Sequence, residues 1–394
     1  MKRIFPGRDG RLGRPALGVV AAVAALLFLP GCFFANPFYY SPKSWDEFYY
    51  ADTNDGWQIA VYHYKPKESR YDPNRDPVIL CHGLACNSYF WHLDKSVDFP
   101  KYLADRGYDV WMLDLRGVNR SRRKTEIAGF QGMDVRGADP NIWSVDDYAL
   151  RDVPAVIDLV KKKTGKKQVN WIGHSMGGMI MYVFLERGSD PKLNVPARPD
   201  SVKNFVAVGS PLTIPPPPND LLAKESKNLE GTITLLELVN LRTPIRVLGA
   251  GSAIVHTNLD LLYYNEANIS GGVRVKAYVN MVDNINPGVF RQFIGMIDHD
   301  KGHFRSKDGK YDYVAELPAV KTPILLLAAN VDPLAPPTSV LAAYYNVSSE
   351  DKEYREFTRV NGYDVDYGHC DLIFGRTAPK EVWPYILDWL GKRA

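Results

Sequence analysis

Val169-Asn170-Trp171-Ile172-Gly173-His174-Ser175-Met176-Gly177-Gly178 is the stretch on which the reading of this chain turns. Val169 to Ile172 is a short apolar run of the kind that makes a buried strand, and Met176 to Arg187 continues without a breaker, which predicts a helix. Between them stands Gly-x-Ser-x-Gly. Alone this pattern is weak, because five positions with three fixed residues recur by chance. Placed between a strand and a helix it describes a nucleophile elbow. The turn must be so tight that Ser175 takes strained backbone angles, and glycines two before and two after it remove side chains that would collide. The N–H groups of the helix start then favour the negative charge that develops when a hydroxyl attacks a carbonyl. The plainer alternative is a strand-to-helix loop with a capping serine.

Outward from the elbow, Val78-Ile79-Leu80-Cys81, Val110-Trp111-Met112-Leu113 and Phe205-Val206-Ala207-Val208 are further apolar runs, spaced widely enough for helices between them. That rhythm is the mark of a parallel sheet covered on both faces. Before it, Phe48 to Tyr50 and Trp57 to Tyr64 alternate around Asn54-Asp55-Gly56, a hairpin signal. Val153 to Lys163 reads as a helix, with Pro154 tolerated in its first turn. After Gly209 the rhythm stops at the four prolines Pro215 to Pro218, and the chain reads as irregular, apolar and Gly-interrupted to about Leu317. The sheet is expected to resume at Pro323 to Leu327 and at Glu356 to Val360, with a closing helix from Pro379 to Leu390. The expected architecture is an α/β fold, a mostly parallel central sheet with helices on both faces and an inserted cap. Its parts are an N-terminal segment 1–31, a first half of the core 32–212, a cap or lid 213–318 and a second half 319–394.

A serine hydroxyl is a poor nucleophile and needs a base. In chain order Ser, acid, His, the base falls at His369, in the loop Tyr367-Gly368-His369-Cys370-Asp371 before the last helix. The orienting acid should follow a strand between the two, and Asp332, just beyond Ile324 to Leu327, fits best; Asp364 and Asp366 are rivals by nearness in sequence. The oxyanion needs two backbone N–H groups: Met176 supplies the first, and Leu84, after Gly83 and the strand ending at Cys81, the second. His82 reads as a structural loop histidine, and His174 points away from its own serine. His299 and His303 have the spacing of a ligand pair, yet Gly302 and the lack of a third ligand favour a solvated turn over zinc. No metal or cofactor is implied.

The 394 residues are 45% hydrophobic and 24% charged, which excludes disordered, collagen-like and mini-protein classes. The net charge of +3 arises before position 32, where Lys2, Arg3, Arg8, Arg11 and Arg14 face Asp9 alone; the remainder is 43 basic to 44 acidic. Such a balance offers nucleic acid no electrostatic footprint. Residues 1 to 14 are basic, Pro15 to Leu29 apolar, and Leu29-Pro30-Gly31-Cys32 closes the segment like a bacterial lipobox, so Cys32 is the expected lipidation site. An uncleaved anchor is the alternative, though Pro30-Gly31 interrupts it short of the ~20 residues a span needs. Both readings tether the chain to a membrane surface in the cell envelope, and Phe33 rather than Asp weakly favours an outer membrane. With Cys32 lipidated, Cys81, Cys86 and Cys370 are an odd set, so at least one thiol stays free.

The residues His82-Gly83-Leu84, Trp91, Leu103 to Trp111, Arg116-Gly117, Asn119, Asp152-Val153-Pro154-Ala155 and Lys163-Thr164-Gly165 resemble the acid lipases, the gastric and lysosomal type of α/β hydrolase. Gly368-His369-Cys370-Asp371, Gly375 and Ala378 to Val382 are similar to the segment around that family's histidine. The resemblance covers about residues 75 to 210 and 320 to 392. It implies a triad of Ser175, Asp332 and His369, an oxyanion hole at Leu84 and Met176, and hydrolysis of lipid-like esters. The family usually has Gln where this chain has Met176, which leaves the backbone donor intact. The cap shows no match, so no acyl-chain preference carries over. Its own apolar residues, Ile233 to Leu241 and Leu259 to Tyr264, are mostly core, but a wall of that kind over a serine pocket favours hydrophobic esters. The expected function is a serine carboxylesterase or lipase acting through an acyl-enzyme. The alternatives are an acyltransferase or polyester depolymerase on the same fold, or a catalytically silent envelope binding protein.

Overall fold

The computed structural model describes residues 40–124, 142–188, 199–213, 260–298 and 302–394. The segment read as an export signal, with Cys32, lies outside them, as do Ile233 to Leu241 and His299. Nine strands occur among the described residues: β1 (Glu47–Asp52), β2 (Trp57–Tyr64), β3 (Val78–Cys81), β4 (Val110–Leu113), β5 (Arg122–Arg123), β6 (Val169–His174), β7 (Val202–Val208), β8 (Ile324–Ala329) and β9 (Lys352–Phe357). Their order is β1-β2-β4-β3-β6-β7-β8-β9, with β5 beside β2. The β1–β2 hairpin and the β2–β4 and β2–β5 pairs are antiparallel, and every pair from β4 to β9 is parallel.

Strands β3, β4 and β8 are apolar throughout because both faces are covered. On β3, Ile79 and Cys81 enter the layer formed by α2 (Val153–Thr164) and α3 (Met176–Arg187), whereas Val78 and Leu80 enter the layer holding α1 (Phe99–Ala104) and the C-terminal helix. Cys81, Cys86 and Cys370 are all buried free thiols, so the expected free cysteine is three.

Two expectations are corrected. The strand placed at Glu356 to Val360 is β9, Lys352–Phe357, after which Thr358 caps a 3-10 turn over Arg359–Asn361. β9 is the sheet edge and mostly half-buried, so it carries polar residues and no apolar run marks it; pairing of Ile324–Ala329 with Lys352–Phe357 sets its limits. The segment read as irregular to Leu317 is helical over much of its described part: α4 (Gly271–Lys276) continues in a wider turn over Ala277–Met281, and α5 (Pro287–Asp298) follows. Most of its breakers within helices sit at helix starts, where they are tolerated, and Gly295 alone of these lies inside α5. Gly271 and Gly272 follow the cap Ser270, whose side chain accepts from Val273 N, and Pro287 opens α5. Val273, Ala277, Tyr278 and Met281 are buried in the same apolar layer as Leu80 and Val206. Beyond β8 lie α6 (Pro337–Asn346) and α7 (Ala378–Gly391), the latter with Pro384 inside it.

At the end of α3, Tyr182 and Glu186 lie one turn apart, and neither the Tyr182 hydroxyl nor either Glu186 carboxylate oxygen has a hydrogen-bond partner. Burial, with Glu316 and Asp312 nearby, pushes the Glu186 carboxyl up to about 9. Below its ordinary value of 4.5 the group is protonated in folded and unfolded chains alike. As pH rises from there towards 9, the unfolded chain releases the proton and the folded one does not, so stability is progressively lost. Between pH 5 and pH 8 the parent is therefore expected to lose about 2–4 kcal/mol more stability than Glu186→Gln, which has no proton to release. Melting temperatures of both proteins across that range check this; parallel curves would exclude a buried neutral Glu186.

Candidate active site

Ser175 stands where β6 ends and α3 begins, at φ 53° and ψ −121°. A non-glycine residue there costs roughly 1–3 kcal/mol and persists only when its surroundings force it. The surroundings do so through the backbone: Ser175 N donates to Val208 O at 2.8 Å, and Gly178 N and Met179 N donate to Ser175 O at 3.0 and 3.2 Å. A Cβ on Gly173 would sit 2.3 Å from Gly177 O, and one on Gly177 would sit 2.3 Å from Cys81 O. Both are backbone atoms, so only glycine lets the elbow close against the end of β3.

Asp332 follows β8 and His369 follows the turn after β9, so both arrive at the carboxyl edge of the sheet where β6 delivers Ser175. Asp332 Oδ2 and His369 Nδ1 are 2.6 Å apart, with both residues buried. Asp332 Oδ1 accepts from Leu334 N and Ala335 N, each at 2.8 Å. A carboxylate only accepts, so the proton of this bond is on Nδ1 and the remaining ring nitrogen is Nε2. The rivals are engaged elsewhere. Asp364 pairs with Lys380 at 2.7 Å, and Asp366 accepts from Thr358 Oγ1 and Arg359 N, both at 2.9 Å.

His174 points away from its serine, as expected, but it has a partner that sequence reading missed. Its Nε2–H donates to the His369 carbonyl at 3.0 Å, and the two rings are 4.6 Å apart. Burial drives its pKa well below the ordinary value, so it remains neutral. The residue before Ser175 thus holds the backbone of His369, a link across 195 positions that no local pattern announces.

His82 is the structural residue anticipated: its Nε2 accepts from Leu115 N at 3.2 Å, and its Nδ1–H donates to Gly83 O at 2.9 Å. A Cβ on Gly83 would lie 3.0 Å from the Ser175 Cβ, so the β3 loop runs directly against the serine. Leu84 comes next on that loop, and Met176 is the first residue of α3, where an N–H group has no helix carbonyl one turn back to bond. Away from the site, His303 Nδ1 pairs with Asp312 Oδ2 at 3.0 Å. Among the described residues no group of three or more His, Cys, Asp or Glu side chains is arranged to hold a metal ion.

Comparison with known proteins agrees with this architecture. Lipase lipl-1 of Caenorhabditis elegans is 26% identical over 376 residues, 86% of this chain and 87% of its own length. Human gastric triacylglycerol lipase is 32% identical over 174 residues, 43% of this chain and 40% of its own. A bacterial membrane phospholipase A of known structure superposes with a TM-score of 0.53 at 16% identity, covering 96% of this chain and 97% of that one, a likeness of fold. The model of the α/β hydrolase fold matches residues 76–374, the span from the strand before the β3 loop through the His369 loop. With the sheet order and the elbow at Ser175, that match places the chain in the α/β hydrolase fold family, as a hydrolase of the lipase and esterase kind.

Proposed function

We propose that this chain is a serine ester hydrolase acting on hydrophobic or lipid esters through a covalent acyl-enzyme. Ser175 attacks the ester carbonyl, and His369 takes its proton through Nε2 and later delivers it to the departing alcohol. Asp332 orients His369 through Nδ1 and stabilises its charged form, while the N–H groups of Leu84 and Met176 hold the oxyanion. Water then resolves the acyl-enzyme, with His369 as base again. The observation that carries this reading is the pair of bonds converging on His369. Its ring is bonded to Asp332 and its backbone to His174, the neighbour of Ser175, so base, acid and strained serine share one corner of the sheet.

The lipase names among the relatives support a hydrophobic ester as substrate, and so do Val331 and Leu334, apolar and exposed on either side of Asp332. A cap formed by residues 213–318 and a lipid tether at Cys32 complete the proposal; for the tether the support is the order of charge and apolarity in residues 1–32. The test is a fluorophosphonate probe on the full-length protein in detergent, with the adduct located by peptide mass spectrometry, beside hydrolysis of p-nitrophenyl esters of increasing acyl length. An adduct on Ser175 with turnover is expected, and the chain-length optimum separates esterase from lipase. A folded protein with neither adduct nor turnover would sink the reading.

A further inference from the structure

The inserted segment reaches the loop that carries His369 and grips it on both sides. Cys370 N donates to Tyr263 O at 2.6 Å, and Asn265 Nδ2 donates to Asp366 O at 2.6 Å. At the centre of this seam Asp371 and Asn268 are both fully buried. Asp371 Oδ1 accepts from Gly368 N at 2.8 Å and Asn265 N at 3.2 Å, and Oδ2 accepts from Asn268 Nδ2 at 2.8 Å. Asn268 Oδ1 in turn accepts from Thr377 N at 3.1 Å and Thr377 Oγ1 at 2.8 Å, and its main-chain oxygen accepts from Arg376 N at 2.6 Å. A Cβ on Gly368 would fall 2.7 Å from Asn265 N and 2.8 Å from Asp371 Oδ1, so the seam closes without room for a side chain.

We propose that Asp371, clamped by Asn268 of the inserted segment, is a positioning residue for His369. The role rests on the serine-hydrolase reading above. His369 lies between Gly368 and Asp371, the two ends of one of these bonds, so the carboxylate sets the path of the peptide groups that aim the ring. Asp332 governs the imidazole and His174 one carbonyl; the Asp371 clamp governs the remaining freedom of the loop. The insertion therefore contributes to the chemistry through the loop it holds, without touching the substrate. A small displacement of a catalytic group costs up to about 100-fold in rate, whereas a purely structural bond leaves the rate of the folded fraction unchanged.

Asp371→Asn sets two amide groups face to face across the clamp, and Asn268→Asp sets two carboxylates there. Made together, the two substitutions exchange donor and acceptor. The new amide at 371 still accepts from Gly368 N and Asn265 N and now donates to position 268, whose other oxygen keeps Thr377. In the full-length protein each single variant is expected to lower kcat for a soluble short-chain ester about 10- to 100-fold with KM within about threefold, and the double variant to recover most of that loss. Singles whose folded fraction keeps the parental kcat, or a double no better than the singles, would overturn the clamp. Asn268→Ala, which spares both backbone donors to Asp371, serves if the singles do not fold: a loss of about tenfold in kcat is expected, and a parental kcat again overturns the role. A folded parent that neither turns over ester nor takes the phosphonate fails the hydrolase reading, and the clamp with it; an active parent with unaffected variants fails the clamp alone.

Discussion

Ser175→Ala is expected to lower kcat/KM for ester hydrolysis by roughly 10⁴- to 10⁶-fold while leaving the protein folded. The substitution deletes one oxygen. The elbow that holds position 175 is built from main-chain bonds to Val208, Gly178 and Met179 and from close approaches at Gly173 and Gly177, none of which uses the hydroxyl. Alanine retains the Cβ, so the strain at φ 53° is unchanged and no stability is released by relaxation. What is lost is the atom that forms the acyl bond. The residual rate measures what substrate binding and the oxyanion donors accomplish with water as nucleophile. Initial rates on short and long p-nitrophenyl esters, with melting temperatures of both proteins, check this. A folded variant keeping more than about a tenth of the parental rate would show that Ser175 is not the nucleophile, because loss of a covalent nucleophile never costs so little.

Asp332→Asn should cost about 10⁴-fold in kcat, for a reason particular to this loop. Oδ1 of Asp332 is already committed to Leu334 N and Ala335 N, both donors, so the oxygen of an asparagine must stay on that side. Its amide group is then forced towards His369 Nδ1, where Oδ2 now stands at 2.6 Å. Two donors cannot share that bond. The imidazole proton moves to Nε2, the nitrogen that must be bare to accept from Ser175, and the base is locked in the wrong tautomer. The loop itself keeps its two turn bonds, so the melting temperature should fall by no more than a few degrees. A variant within tenfold of the parental kcat would remove Asp332 from the orienting role. The engagement of Asp364 with Lys380 and of Asp366 with Thr358 leaves neither free to replace it.

The residues proposed for this chemistry, Ser175, Asp332, His369, Leu84 and Met176, were each singled out by a sequence signal. The elbow is a turn between an apolar run and a helix, and Asp332 and His369 lie just past regular elements in the chain order that such a site follows. Most of the parallel strands were legible for a related reason, since a strand buried on both faces is largely apolar. β9 escaped that criterion because it is a half-buried edge carrying Lys352, Glu353 and Arg355. The helices of the insertion escaped it because Gly271, Gly272, Pro287 and Gly288 look like breakers until their place in the first turn is known.

Local order and the elbow were therefore legible in the sequence alone, because each depends on steric and hydrophobic patterns within a few residues. Which acid meets His369, what His174 holds, and how Asn268 reaches Asp371 were decided only by the tertiary structure. Those bonds join positions 37, 195 and 103 residues apart. A hydrogen bond needs its two groups within about 3 Å, a condition that packing of the whole sheet satisfies and that no periodicity along the chain encodes.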